Sequence, residues 1–145
     1  MTVADPISEY TQLERPELER RVAERKAGLG GRLCILGHHY QRDEVLQFAD
    51  FVGDSLKLSR QAAEQRDAEF IVFCGVHFMA ESADVLTGPE QVVCLPNLAA
   101  GCAMADMADD SAVATAADEL SSLTDAKVVP IAYVNSTAGI KAITA

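Results

Sequence analysis

No stretch of this sequence stays apolar long enough to cross a membrane. The longest runs, residues 70–76 and 128–134, fall far short of the roughly 20 residues that a helical span requires. The first residues also lack a basic segment followed by an apolar one, so no secretory leader is expected and a cytoplasmic protein is. Positive charge is scarce: 12 Lys and Arg stand against 22 Asp and Glu, a formal charge of −10 with a pI near 4.6. That balance repels phosphodiester backbones, and the few cations form no stripe, so nucleic acid is not an expected partner. Most of the carboxylates lie in helical stretches beside Arg and Lys, where they read as a solvated face. The four cysteines, at 34, 74, 94 and 102, contain no C-x-x-C and no dense secreted-type framework, which argues for reduced thiols. No G-x-S-x-G elbow surrounds Ser55, so a serine triad is not in prospect. Internal repeats and low-complexity segments are also missing.

What is present suits one ordinary domain and part of another: 145 residues, 49% of them apolar, can enclose one real core. From Pro6 to about Lys26, Tyr10, Leu13, Leu18 and Val22 fall at helical spacing, predicting one amphipathic helix or two broken at Pro16. Gly28, Gly30 and Gly31 follow. They precede a strand instead of opening a helix, which is the wrong order for a dinucleotide fingerprint, so they read as a turn.

Apolar runs then alternate with helical patterns. Strands are expected at 32–36, 69–74, 91–95 and 127–134, with helices over 42–66, 78–86 and 102–123 and another opening at 136–145. Continuous apolar strands separated by helices predict an α/β fold: a parallel sheet with helices on both faces, an αβα sandwich. Gly53-Asp54-Ser55 divides the long helical stretch, since Gly interrupts it and Asp54 or Ser55 can cap the next helix. The expected organisation is a helical segment at 1–31, a first α/β domain at 32–126 and the start of a second at 127–145. The chain is expected to stop in mid-architecture.

Ligands of open parallel sheets bind beyond the carboxyl ends of the strands. His38, His39, Tyr40 and Gln41 follow the first expected strand, and Gly75 and His77 the second. Residues 97–102 follow the third, and Asn135, Ser136 and Thr137 the fourth. The strand interiors carry almost nothing chemically capable. His39 and His77 read as loop or capping residues, whereas His38-His39-Tyr40 is a costly group of polar rings unless it is bonded or faces a cleft. Cys34, Cys74 and Cys94 lie inside apolar runs and read as core. Cys102 follows the small residues Ala99-Ala100-Gly101 and precedes an expected helix whose N-terminal dipole favours a thiolate, the form that binds metal or attacks an electrophile. Ser55 is left between helix capping and ligand binding.

Five strings in order, Gly37-His38-His39-Tyr40-Gln41, Gly53-Asp54-Ser55-Leu56, Phe73-Cys74-Gly75-Val76 through Phe78-Met79-Ala80-Glu81, Ala100-Gly101-Cys102-Ala103-Met104-Ala105-Asp106 and Tyr133-Val134-Asn135-Ser136-Thr137, resemble the quinolinate synthase family. The resemblance runs from about Leu33 to the end. It implies three α/β sandwich domains related by pseudo-threefold symmetry, with the active site where they meet. It also implies a [4Fe–4S] cluster held by one cysteine from each domain, with one iron left open as a Lewis acid. The implied reaction condenses iminosuccinate with dihydroxyacetone phosphate to quinolinate in NAD biosynthesis, coupled to an enzyme that supplies iminosuccinate.

Carried over by position, Cys102 matches the first of three cluster ligands, and His38 and Ser55 match residues that hold iminosuccinate. Tyr133, Val134 and Asn135 match another part of that pocket, with Val134 offering only backbone. Tyr40 matches a proton-transferring tyrosine. The second and third cluster cysteines and a catalytic glutamate have no counterpart here. Gly37 stands where the family often has Ala, and His39 falls at a variable position. Two other readings compete: a stand-alone α/β module binding a small anion without a cluster, and a thiol enzyme with Cys102 as nucleophile and His38 or His39 as base. Iron content separates them.

Overall fold

The computed structural model describes residues 7–145, so Pro6 lies outside it. Helix α1 spans Arg15–Leu29, with Pro16 in its first turn. A missing N–H is harmless there, and the expected break at Pro16 is instead the start of the helix. Its exposed face carries Arg15–Glu19 and Arg21–Glu17 pairs one turn apart, the solvated arrangement expected of these charges. Of the glycines expected to turn, Gly28 still belongs to α1, and Gly30 and Gly31 form the turn: Gly30–Arg32 is a single turn of 3₁₀ helix, entered with Gly30 at a φ of 53°.

Strand β1 covers Leu33–His38, helix α2 Asp43–Leu46, strand β2 Phe51–Gly53 and helix α3 Ser55–Glu64. Strand β3 is Phe70–Cys74, helix α4 His77–Leu86 and strand β4 Val92–Cys94. All four strands are parallel, in the order β2-β1-β3-β4. The α/β class is as expected, with corrections to its elements. Residues 42–66 are not one interrupted helix, because Phe51–Gly53 forms an edge strand in register with Leu36, Gly37 and His38. Residues 127–134, expected as the fourth strand, pair with nothing among the described residues. Val129, Ile131 and Tyr133 stand 66%, 92% and 66% exposed. A β-forming sequence becomes a strand only where an edge and a covering layer receive it.

The alternation of β1 and β3 separates two faces. Cys34, Leu36, Ile71 and Phe73 pack with Leu58 and Ala62 of α3 and with Phe78, Met79 and Ala83 of α4 as the main core. Ile35, Val72 and Cys74 face α1 and α2 across an apolar cavity of about 390 Å³. Lys26 ties α1 to the sheet by donating to Phe48 O and pairing with Asp50, both at 2.6 Å. Asp50 in turn accepts the Ile35 N–H at 2.8 Å. Gly37, the departure from the family pattern, lies against α2, where an added Cβ would meet Leu46 Cδ2 at 2.6 Å.

Phe73 is fully buried at the centre of the core. Phe73→Ala is therefore expected to cost about 3–5 kcal/mol in urea unfolding, against under about 1 kcal/mol for the half-exposed Val52→Ala. A Phe73→Ala loss below that of Val52→Ala would place the core elsewhere.

The remaining elements are a 3₁₀ turn at Ala105–Met107, helix α5 at Asp110–Leu123 and helix α6 at Ala138–Ile143. Helix α6 is pinned to the others by polar contacts. Ala138 N–H donates to Glu81 of α4 at 3.0 Å, and Thr137 Oγ1 donates to Asp110 of α5 at 2.7 Å. Lys141 Nζ donates to Ser136 O at 2.6 Å and lies 5.5 Å from the centre of the Phe78 ring. No helix among the described residues is long and apolar enough to cross a membrane.

Candidate active site

In this strand order the chain reverses direction between β1 and β3, which is where an open parallel sheet forms its ligand crevice. A cavity of about 520 Å³ lies there. His38, Tyr40, Ser55, Cys102 and Asn135 line it, together with Gln41 and the backbone around Gly75 and Gly101. Five of the seven expected site residues thus converge. Val134 instead lines a neighbouring, mainly apolar cavity between α3, α4 and α6, which Ser55 also borders. Tyr133 lines neither cavity and is 66% exposed.

His38 ends β1 and is 6% exposed. A turn follows, closed by Gln41 N–H donating to His38 O at 2.8 Å. It stacks three rings, with His38 lying 4.2 Å from His39 and 4.1 Å from Tyr40 between centroids. This stacking is how the loop accommodates three polar aromatic groups. The Tyr40 N–H points at His38 Nδ1 from 3.5 Å, a long contact that favours the tautomer in which Nδ1 accepts and Nε2 carries the proton. His39 is tied to the end of β2, its N–H donating to Gly53 O at 3.1 Å and its Nδ1 lying 3.2 Å from the same oxygen.

Burial, and next the neighbouring His39, lower the pKa of His38 below the ordinary 6.5. Between that lowered value and 6.5 the unfolded chain holds more protons. The stability contributed by this group is therefore complete above 6.5 and is lost as pH falls through the lowered value. Burial first, then the proximity of Cys102, raise the pKa of Tyr40 above 10. At neutral pH the site thus presents an uncharged imidazole and an intact phenol.

Ser55 is the first residue of α3, but the capping is done by Asp54, whose carboxylate accepts the Lys57 N–H at 2.9 Å. The Ser55 hydroxyl is left without that task. Asn135 reaches the cavity although the segment before it is no strand, because the contacts of α6 with Glu81 and Asp110 carry it there.

The loop bearing Cys102 is fastened by Ala100 O, which accepts the His77 N–H at 2.9 Å. The thiol is half-buried, with one side against the main core. The dipole expected to act on it is not in place: only the short 3₁₀ turn follows, and α5 begins at Asp110. The Cys102 N–H instead meets the Asp106 carboxylate at 3.0 Å. Sequence reasoning passed over Asp106, although its spacing of four residues from Cys102 was visible. The other thiols lie elsewhere. Burial, and next Asp50, push Cys34 up to about 11, and burial raises Cys74, so both stay protonated and inert.

Sheet and cavity together define an α/β protein with a cavity at the switch point of a parallel sheet, lined by neutral polar side chains and one half-buried thiol. Residues 20–145 match the family described as Quinolinate synthetase A protein, and the chain belongs to that family. It is 57% identical over 133 residues to the quinolinate synthase of Halalkalibacterium halodurans, covering 92% of this chain and 36% of that protein. It is 62% identical over 128 residues to the quinolinate synthase of a Nocardioides species, covering 88% and 32%. The chain thus spans about a third of the length of the curated relatives it matches.

Proposed function

We propose that this chain supplies the first α/β unit of a quinolinate synthase, contributing one wall of the iminosuccinate pocket and one cluster ligand. The observation that carries the reading is the gathering of His38, Tyr40, Ser55, Cys102 and Asn135 around one cavity at the switch point. None of the residues lining that cavity is Asp or Glu, as a dicarboxylate requires. His38 Nε2–H, the Ser55 hydroxyl and the Asn135 amide are neutral donors for the two carboxylates of iminosuccinate. Dihydroxyacetone phosphate is the second substrate, and quinolinate forms with loss of phosphate and water. Tyr40, held as an intact phenol beside His38, donates and recovers a proton as the condensed intermediate isomerises and dehydrates.

The residues present fit one corner of a [4Fe–4S] cluster. Cys102 places a half-buried thiol at the cavity beside the small Ala100 and Gly101, while among the described residues no three His, Cys, Asp or Glu side chains converge to hold a metal ion. On this reading the other two thiolates would be supplied by polypeptide outside this chain. When bound, such a cluster supplies a Lewis acid that assists loss of water.

The complete polypeptide carrying this chain, reconstituted anaerobically, is expected to make quinolinate from dihydroxyacetone phosphate and iminosuccinate generated in place. His38→Ala is expected to raise the KM for iminosuccinate as well as lower kcat, because the side chain acts before and during reaction. A cluster-loaded wild-type protein that turns over neither substrate would overturn the proposal.

A further inference from the structure

We propose that Asp106 is a positioning residue for Cys102, holding the loop so that the sulfur faces the cavity beside Tyr40. The inference rests on the reading of Cys102 as a cluster ligand. Two reciprocal hydrogen bonds join the residues: the Cys102 N–H donates to Asp106 Oδ2 at 3.0 Å, and the Asp106 N–H donates to Cys102 O at 2.8 Å. The first is charge-assisted, and such bonds are roughly twice as strong as neutral ones. The brace has a footing in the core, because Ala105, next to Asp106, is 3% exposed and belongs to the main cluster. It also accounts for Gly101, where an added Cβ would stand 2.7 Å from Asp106 Oδ2. A side chain there and the carboxylate in its bonded position exclude each other. On the other side, Ala100 is fixed to the start of α4 through the His77 N–H. The Cys102 backbone is thus held from both directions, and a thiol already aimed loses less freedom when it binds metal.

The test reads the thiol directly. In the 145-residue chain, iodoacetamide alkylation of each cysteine is followed by mass spectrometry, with buried Cys34 as the internal reference for an intact fold. Asp106→Ala is expected to speed alkylation of Cys102 about tenfold, the change in local opening expected from loss of one charge-assisted hydrogen bond. Cys34 should not respond. Asp106→Asn keeps a side-chain oxygen acceptor and is expected to stay within about threefold of wild type. Gly101→Ala should mimic Asp106→Ala, and the double variant should be no faster than either single one, since both remove the same contact.

In the complete enzyme, iron and sulfide content after reconstitution is expected to fall in Asp106→Ala and to be restored in Asp106→Asn. Wild-type alkylation of Cys102 in Asp106→Ala, or multiplicative effects in the double variant, would overturn the inference. Failure of the underlying reading looks different: a complete enzyme that retains its cluster after Cys102→Ala removes the ligand assignment, whatever the alkylation rates.

Discussion

Cys102→Ala, introduced into the complete enzyme, is expected to leave it without an iron–sulfur cluster, whereas Cys34→Ala, Cys74→Ala and Cys94→Ala are expected to keep it. The four thiols fall into two classes by position. Cys34 and Cys74 lie in central strands with their pKa values raised by burial, and Cys94 ends the edge strand β4. Only Cys102 lines the cavity shared with His38 and Tyr40. On the proposed reading, three thiolates would hold the cluster, so removing one would leave it short of a ligand, and a small replacement side chain would give iron nothing in exchange. Cys34→Ala should lose about 1–3 kcal/mol of stability, the usual cost of truncating a small buried group, and the half-buried Cys74 and Cys94, expected from the sequence to be core, should lose less. Iron and sulfide assays after anaerobic reconstitution, paired with urea unfolding, separate the classes. For the same reason the 145-residue chain alone is expected to hold no stable cluster. Retention of the cluster by Cys102→Ala with its loss from a strand variant would reverse the assignment.

Tyr40→Phe in the complete enzyme should lower kcat by roughly 10²–10⁴, the range typical of a lost acid–base group, while leaving iron content and the KM for iminosuccinate nearly unchanged. The substitution removes one hydroxyl and keeps the ring, so the stack on His38 at 4.1 Å survives. The His38 tautomer survives with it, since the donor that reaches His38 Nδ1 is the backbone N–H of Tyr40. What disappears is a phenol whose raised pKa keeps its proton available at neutral pH. His38→Ala, by contrast, should act on binding as well as turnover. Turnover of Tyr40→Phe within about twofold of wild type would leave Tyr40 as a packing residue.

Much of this was legible in the residues before any fold was known, because the signals are local. Apolar runs at 32–36, 69–74 and 91–95 mark β1, β3 and β4 through their own composition. The polar residues just beyond them mark the carboxyl edge, since a strand buried on both faces excludes such groups from its interior. The separation of Cys102 from the three strand cysteines follows from the same pattern.

The tertiary structure decided the rest. Phe51–Gly53 is too short to show a period of two, and it is a strand because β1 offers it an open edge. Residues 127–134 carry a stronger β pattern and still form no strand, because they dock against neither open edge of the sheet, β2 or β4. Asn135 reaches the site, and Tyr133 does not, because Glu81 and Asp110 fasten α6 from 57 and 27 residues away. Composition and spacing report what a segment can become on its own. Pairing and docking depend on partners distant in the chain, and at β2, at residues 127–134 and at Asn135 those partners determined the outcome.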